Sequence, residues 1–409
     1  MTQNPNQINP KVFSDRILFI FCAILLVQFI HLNLVAVFSF INLLTWIGIA
    51  GFGFSLLKLT NRRIDGATGW PKLNSQIFSA LFLTSFFVVF TFSRHSYIIS
   101  FFVKGMYLTR GSEEVGQGGV YSAITILFYP LCIILAFIDI PRVRYYCYSV
   151  LMLCIMAIDL VIIGTRGVPV FVFLFHLAMS RVNFRSLKTI LGILFLTFIF
   201  LVLFDYQTKA RSLDSSTVGW DWSEALKYSW LMDILKINDA TILLVSEYTS
   251  FLLPLIFFMQ YLSHSIAEFA QLLGDGRYGL MGSGLYIFDQ FCIVAGGDRS
   301  ALKTLIEEMN PRVGLYQTLY SSLLFDFGFL SILLCFFVIF AYYLASSRKF
   351  VELNAFTIYV VVLIAVSSIE NYIYNGLGLS RFCVFLILYK LLDVRFLKGL
   401  FATTRDKVV

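Results

Sequence analysis

Apolar runs separated by short polar connections repeat along nearly the whole chain, and this pattern sets the expectation for every other feature. A helix needs about 20 predominantly apolar residues to cross a bilayer core. Ile17 to Ile30 and Val35 to Leu57 approach or meet that length, joined by a tight turn at His31 to Leu34. Further runs are Gln76 to Phe92, Val120 to Ile138, Tyr145 to Ile163, Val168 to Met179 and Thr189 to Phe204. Leu315 to Ala345, Ala355 to Ser368 and Phe382 to Leu392 complete the series. The pattern predicts an all-α polytopic bundle of about ten spans, since a helix satisfies its own backbone in lipid.

One long stretch breaks the rhythm. Residues 205–314 are polar enough to stand in water and are expected to form a single large external loop within one membrane domain covering 1–409. Two apolar pieces lie inside it, Ile242 to Leu262 and Leu280 to Val294, interrupted by Glu247, Pro254, Gln260 and Asp289. They are expected as short re-entrant or interfacial helices. Counting them as two more spans would give twelve and leave the orientation unchanged.

Composition excludes a water-soluble domain. Only 13% of residues are charged and 59% are hydrophobic, against about 25% charged in typical soluble proteins. The mean hydropathy is +0.82. Forty-four Phe and 21 Tyr suit lipid-facing helices with interfacial rings. The seven cysteines form no CxxC pair and fall mostly in apolar runs, so neither a disulfide framework nor structural zinc is expected. The first apolar run leads into the second without a small-residue cleavage site and is read as a first span, not a removed leader.

Charge supplies an orientation. The long loop holds eight Lys and Arg against thirteen Asp and Glu, a net of −5, while the whole chain carries +7. The basic excess therefore lies in the short connections. Lys58, Arg62, Arg63 and Lys72 share one, Arg142 and Arg144 the next, Arg181, Arg185 and Lys188 a third, Arg348 and Lys349 a fourth. Lys11, Arg16, Lys390, Arg395, Lys398, Arg405 and Lys407 flank the termini. All fall on one face when every span crosses once, which makes that face cytoplasmic, with both termini inside and the long loop outside.

Candidate chemistry is sparse in motifs. There is no Walker A sequence, no dinucleotide fingerprint, no HExxH and no paired CxxC, so a cytosolic nucleotide-driven reaction, a cofactor or a metal site has no sequence support. Asp326-Phe327-Gly328 matches a kinase triplet by letters only. Arg166, in Gly164-Thr165-Arg166-Gly167, sits in a very short external turn. It reads as a snorkelling anchor or as a bidentate phosphate ligand beside the start of the next helix. Arg211, Arg277, Arg299 and Arg312 add cations in the loop, each by itself readable as a solvated charge.

His264 is placed at the edge of an apolar loop helix, where it can take a proton from a sugar hydroxyl, with Glu247 and Glu268 competing for that role. Tyr248, Tyr261 and Tyr278 can stack on sugar rings. His176, deep in a run, reads as a hydrogen-bonded interior group. Asp159 and Asp326 lie within apolar runs, where a carboxylate is costly: they read either as structural partners of Arg166 or Arg381 or as proton relays.

Ile162-Ile163-Gly164-Thr165-Arg166-Gly167 before an apolar run, Tyr261-Leu262 in a long external loop, and Thr318-Leu319-Tyr320 leading to Asp326-Phe327-Gly328 together resemble the Wzy-type O-antigen and capsule repeat-unit polymerases. The resemblance covers most of the chain in layout and about a third in residues. It implies a multi-span bacterial inner-membrane enzyme with a large periplasmic loop, taking undecaprenyl-diphosphate-linked oligosaccharide as substrate and needing no cofactor. Membrane lipids, a flippase and a chain-length regulator are the implied partners, and nucleic acid is not among them. It implies diphosphate or glycan binding at Arg166, Arg211, Arg277 and Arg299, although the Arg-x10-Gly pattern of some members is absent at Arg211 and Arg299. A flippase of lipid-linked oligosaccharide and an O-antigen ligase are the competing expectations.

Overall fold

A computed structural model describes residues 8–65, 67, 69–95, 98–99, 120–159, 167–179, 235–248, 253–276, 318–328, 354–369 and 376–395, with scattered helical residues between 186 and 202 and between 301 and 337. Among the described residues every regular element is helical. Extended contacts are limited there to single antiparallel bridges, Ala36 with Ile237 and Leu73 with Asp393.

Helix α1 spans Pro10–Ile30. Asn9 caps it by accepting from the Lys11 amide at 2.8 Å, and Pro10 occupies the first turn, where its missing N–H costs nothing. These signals start the helix seven residues before the apolar run. At its other end α1 widens into a π turn, His31–Val35, in place of the expected tight turn. Extended residues 36–39 then lead to α2, Phe40–Asp65, whose charged last turns outrun the apolar segment that ends at Leu57. Pro10–Val35 and Phe40–Arg62 are long and apolar enough to cross a membrane, with 26 and 23 residues.

Helix α3, Ser75–Val89, is capped by Asn74 and also ends in a π turn, Phe90–Arg94. It is followed by α4 (Val120–Leu135), α5 (Arg142–Ala157), α6 (Gly167–Met179), α7 (Asp239–Tyr248) and α8 (Leu253–Gly274). The last three are α9 (Leu319–Phe327), α10 (Ala355–Val366) and α11 (Gly376–Leu392).

Two expectations about these elements change. The piece Ile242 to Leu262 is divided between α7 and α8. Pro254 does not interrupt a helix. It sits in the first turn of α8, where proline is tolerated, and α8 runs on through Gln260 for 22 residues. The run from Leu315 contains α9, which stops at Phe327 because Gly328 turns to φ +54°, a left-handed backbone that glycine adopts without strain.

The core is aromatic. On α1 the buried positions Phe13, Ile17, Phe21, Ile24 and Gln28 recur at helical spacing, while Phe19 and Leu26 point outward. Helix α4 packs along α3 and α11, and α1 along α2, α8 and α10. Phe78, Phe82 and Phe128 are fully buried, and Phe82 meets Phe128 at 5.7 Å and Tyr148 at 5.0 Å between ring centroids. Such ring pairs stabilise by about 0.5–1.5 kcal/mol beyond area burial.

The described helices alternate between two ends of this bundle. At one end Trp70 donates to the Ile8 carbonyl at 2.7 Å, the Asn74 amide to the Leu392 carbonyl at 2.7 Å, and Arg16 to the Ala178 carbonyl at 3.4 Å. Lys58, Arg62, Lys72, Arg142, Arg144, Lys390 and Arg395 belong to the same end, here termed the basic end. The far end carries both π turns, the start of α6, the end of α10 and the 36/237 bridge.

Candidate functional site

At the far end the first π turn opens on the buried His31 and the second closes on the half-buried Arg94. A π turn inserts one residue into the helical hydrogen-bond register and re-aims the side chains after it. In α3 that turn delivers Arg94, which reaches Asp159 just beyond α5. The pair is side-on: Nε lies 2.5 Å from Oδ1, and Nη2 donates to Oδ2 at 2.9 Å. Asp159 is 1% exposed and also accepts from the Tyr129 hydroxyl of α4. A buried carboxylate of this kind requires its partners, because desolvation of a lone ion costs several kcal/mol.

Arg381 of α11 extends the cluster. Its guanidinium carbon stands 5.7 Å from the centroid of the Tyr129 ring, a cation–π distance. Arg381 also lines a narrow cavity with Tyr129, Pro130, Val168, Phe171 and Tyr359. Pro130 lies inside α4 and cannot donate to the carbonyl four residues before it, which loosens the helix beside that cavity. At about 10 Å³ the cavity admits a single water, far too little for a sugar.

Near its end, α4 tightens, with the Ala136 amide bonding Ile133. The Cys132 carbonyl lies 2.8 Å from His176 Nε2, and Tyr145 approaches Nδ1 at 3.5 Å. His176 is thus a hydrogen-bonded interior group.

A second polar layer follows α8. Gln260, Ser263, His264, Ser265 and Glu268 are all buried. Gln28 of α1 donates to the Leu262 carbonyl at 2.8 Å and to the Ser368 carbonyl at 3.1 Å, and Ser265 donates to the same Ser368 carbonyl at 2.8 Å. Gln260 reaches the Leu235 carbonyl at 3.3 Å, and the Tyr320 and Ser367 hydroxyls meet at 2.9 Å. These bonds offset the burial of polar groups and fix α8 inside the bundle.

His264 Nε2 and Glu268 Oε1 are 2.9 Å apart on one face of α8. A carboxylate so placed orients an imidazole. His31, in the first π turn, is fully buried, and neither ring nitrogen has a hydrogen-bond partner among the described residues.

The expected site residues divide into three groups. His264 and Tyr261 are in the bundle interior, at 0% and 3% exposure, not at an exposed edge: α8 presents its polar face to α1 and α10 instead of to water. As packed, Tyr261 offers no ring for a sugar to stack on. Glu247 and Tyr248 lie in the last turn of α7. Arg166, Arg211, Arg277, Tyr278 and Arg299 lie outside the described residues.

Asp159 is paired, as one reading of the sequence required, but with Arg94. That partner is 65 residues away and no local pattern announces it. The Glu268 partnership was readable from its i,i+4 spacing to His264. Among the described residues no group of three or more His, Cys, Asp or Glu side chains converges on a metal position.

Compared with models of protein families, with curated proteins and with solved structures, the chain matches none.

Proposed function

We propose that the chain is a multi-span enzyme of the bacterial inner membrane, with about ten to twelve spans and both termini cytoplasmic. On its outer face it polymerises undecaprenyl-diphosphate-linked oligosaccharide repeat units of an O-antigen, capsule or exopolysaccharide. The observation that carries this reading is the gathering of half-buried guanidinium groups with buried carboxylate and imidazole groups at the end of the bundle opposite its basic connections. The motif resemblance around Arg166, Tyr261 and Asp326 names the reaction.

In that reaction an acceptor sugar hydroxyl attacks the anomeric carbon, the bond to the diphosphate oxygen breaks, and its electron pair leaves with the diphosphate. Fixed guanidinium groups stabilise the charge growing on the leaving group. Arg166, with Arg211, Arg277 and Arg299, takes that role. His264, oriented by Glu268, receives the hydroxyl proton after α8 or its neighbours open a path to it, with Glu247 as the competing base. The energy resides in the donor, so no ATP is required. Tyr248 and Tyr278 are the glycan-stacking positions, and Tyr261 joins them only if α8 moves.

Gene deletion followed by gel analysis of the surface glycan tests this. Core carrying one repeat is the expected result, and Arg166→Ala should reproduce it at normal protein level. An unchanged ladder overturns the reading. A second reading, a flippase of the same lipid-linked oligosaccharide, draws on the Arg94–Asp159 pair, since intramembrane ion pairs also mark transport paths. Loss of all repeats would favour it, or an O-antigen ligase.

A further inference from the structure

At the far end, the start of α2 and the second half of α8 enclose an open cleft of about 240 Å³, more than twenty times the cavity beside Arg381. Phe38, Ser39, Ile41, Asn42, Lys236 and Gln271 line it. Its floor is the N-terminus of a 26-residue helix, whose first amides have no partners within the helix and carry partial positive charge. No acidic side chain occupies that first turn.

A second, independent feature marks the same spot. Asn42 is 6% exposed, lines the cleft, and has no hydrogen-bond partner among the described residues. Lys236 is held beside it by its backbone, whose carbonyl accepts from the Val37 amide at 2.7 Å while the Asn238 amide bonds Val35 at 2.9 Å. Gln271 donates to Asp275, and that carboxylate is not part of the lining.

We infer that this cleft binds the phosphodiester headgroup of an anionic phospholipid. Backbone amides at a helix start, a buried amide with open valences and one lysine are the donors an anionic phosphate oxygen takes. One cation in the described lining matches the single charge of a phosphodiester, whereas a diphosphate brings at least two. The acyl chains have a track as well. Phe40, Leu44, Ile47 and Phe54 run down one face of α2 from the cleft, at 65%, 51%, 51% and 45% exposure, on a segment long enough to cross a membrane. The site is separate from the proposed catalytic groups and does not depend on their assignment.

Native mass spectrometry of the full chain in neutral detergent, titrated with phosphatidylglycerol, phosphatidylcholine or inorganic phosphate, tests it. Phosphatidylglycerol should bind in preference to phosphatidylcholine. Lys236→Ala and Asn42→Leu should each weaken it by about tenfold, the size of one lost charge-assisted hydrogen bond, and Lys236→Arg should retain it. Lys236 is exposed, so its variants keep the fold, and Ser39→Ala serves as a second mild probe if Asn42→Leu misfolds. Equal binding of the two lipids, unchanged affinity in the Lys236 variants, or competition by inorganic phosphate at the lipid's own affinity would each overturn the proposal.

Discussion

The Arg94–Asp159 pair is a two-point contact between a half-buried guanidinium and a carboxylate withdrawn from water, so the carboxylate depends on its partner. Arg94→Ala would leave the Asp159 carboxylate buried with the Tyr129 hydroxyl and whatever Arg381 can offer. Breaking a buried pair from one side costs about 3–5 kcal/mol. Asp159→Asn should cost less, since the amide stays neutral and still accepts from Tyr129. The double variant, Arg94→Ala with Asp159→Asn, should recover part of the Arg94→Ala loss, and thermal unfolding in detergent measures all three. Additive losses would mean that the two side chains do not act as a pair. Arg94→Lys should remain well below the native protein, because an ammonium cannot reproduce the two-point contact that Nε and Nη2 make.

At the scale of helices, α1 and α2 approach closely at Gly53. A methyl group added at Gly53 would lie 2.6 Å from the ring of Phe21, which is itself fully buried. Gly48 and Gly51, on the same helix, have no neighbouring atom within 4 Å of the corresponding position. Gly53→Ala should therefore destabilise by about 1–3 kcal/mol through overpacking. Gly48→Ala and Gly51→Ala should be neutral or stabilise by about 0.5–1 kcal/mol through helix propensity. Melting temperatures of the three variants check the contrast, and loss of stability at all three would show a tighter α2 environment than the one described.

The same pair of helices shows what the amino-acid order reveals. Hydropathy locates α1, α2, α3 and α10 because burial in lipid or core demands an unbroken apolar run. Their ends follow other rules: Asn9-Pro10, Asn74 and Asn354 cap by side-chain chemistry outside the run, and π turns at His31 and Phe90 have no hydropathy signature. The place of α8 was hidden for a related reason. Its polar face looks water-facing until Gln28 and the Ser368 carbonyl are known to meet it, and those contacts span 234 and 103 residues.

For the molecule as a whole, the decisive quantity is sidedness. Lys58, Lys72, Lys390 and Arg395 gather at one end, tied by the Leu73–Asp393 bridge and the Asn74–Leu392 hydrogen bond. Arg94, Asp159, His264 and the cleft beside Lys236 gather at the other. Basic connections are retained in the cytoplasm during insertion, so the second end should face outward. Cysteine placed at Lys236 should react with a membrane-impermeant maleimide on intact spheroplasts, while cysteine at Lys58 or Lys390 should react only after permeabilisation. Serine replacement of the exposed Cys22, Cys147, Cys154 and Cys383 removes the background from those sites. The reverse labelling would put Arg94, Asp159 and His264 on the cytoplasmic side. A reaction that spends only the energy of an exported lipid-linked donor would then have no substrate there, whereas a lipid headgroup could still occupy the α2 cleft from the inner leaflet. The labelling thus separates the catalytic proposal from the lipid-binding one, since only the first depends on which way the bundle points.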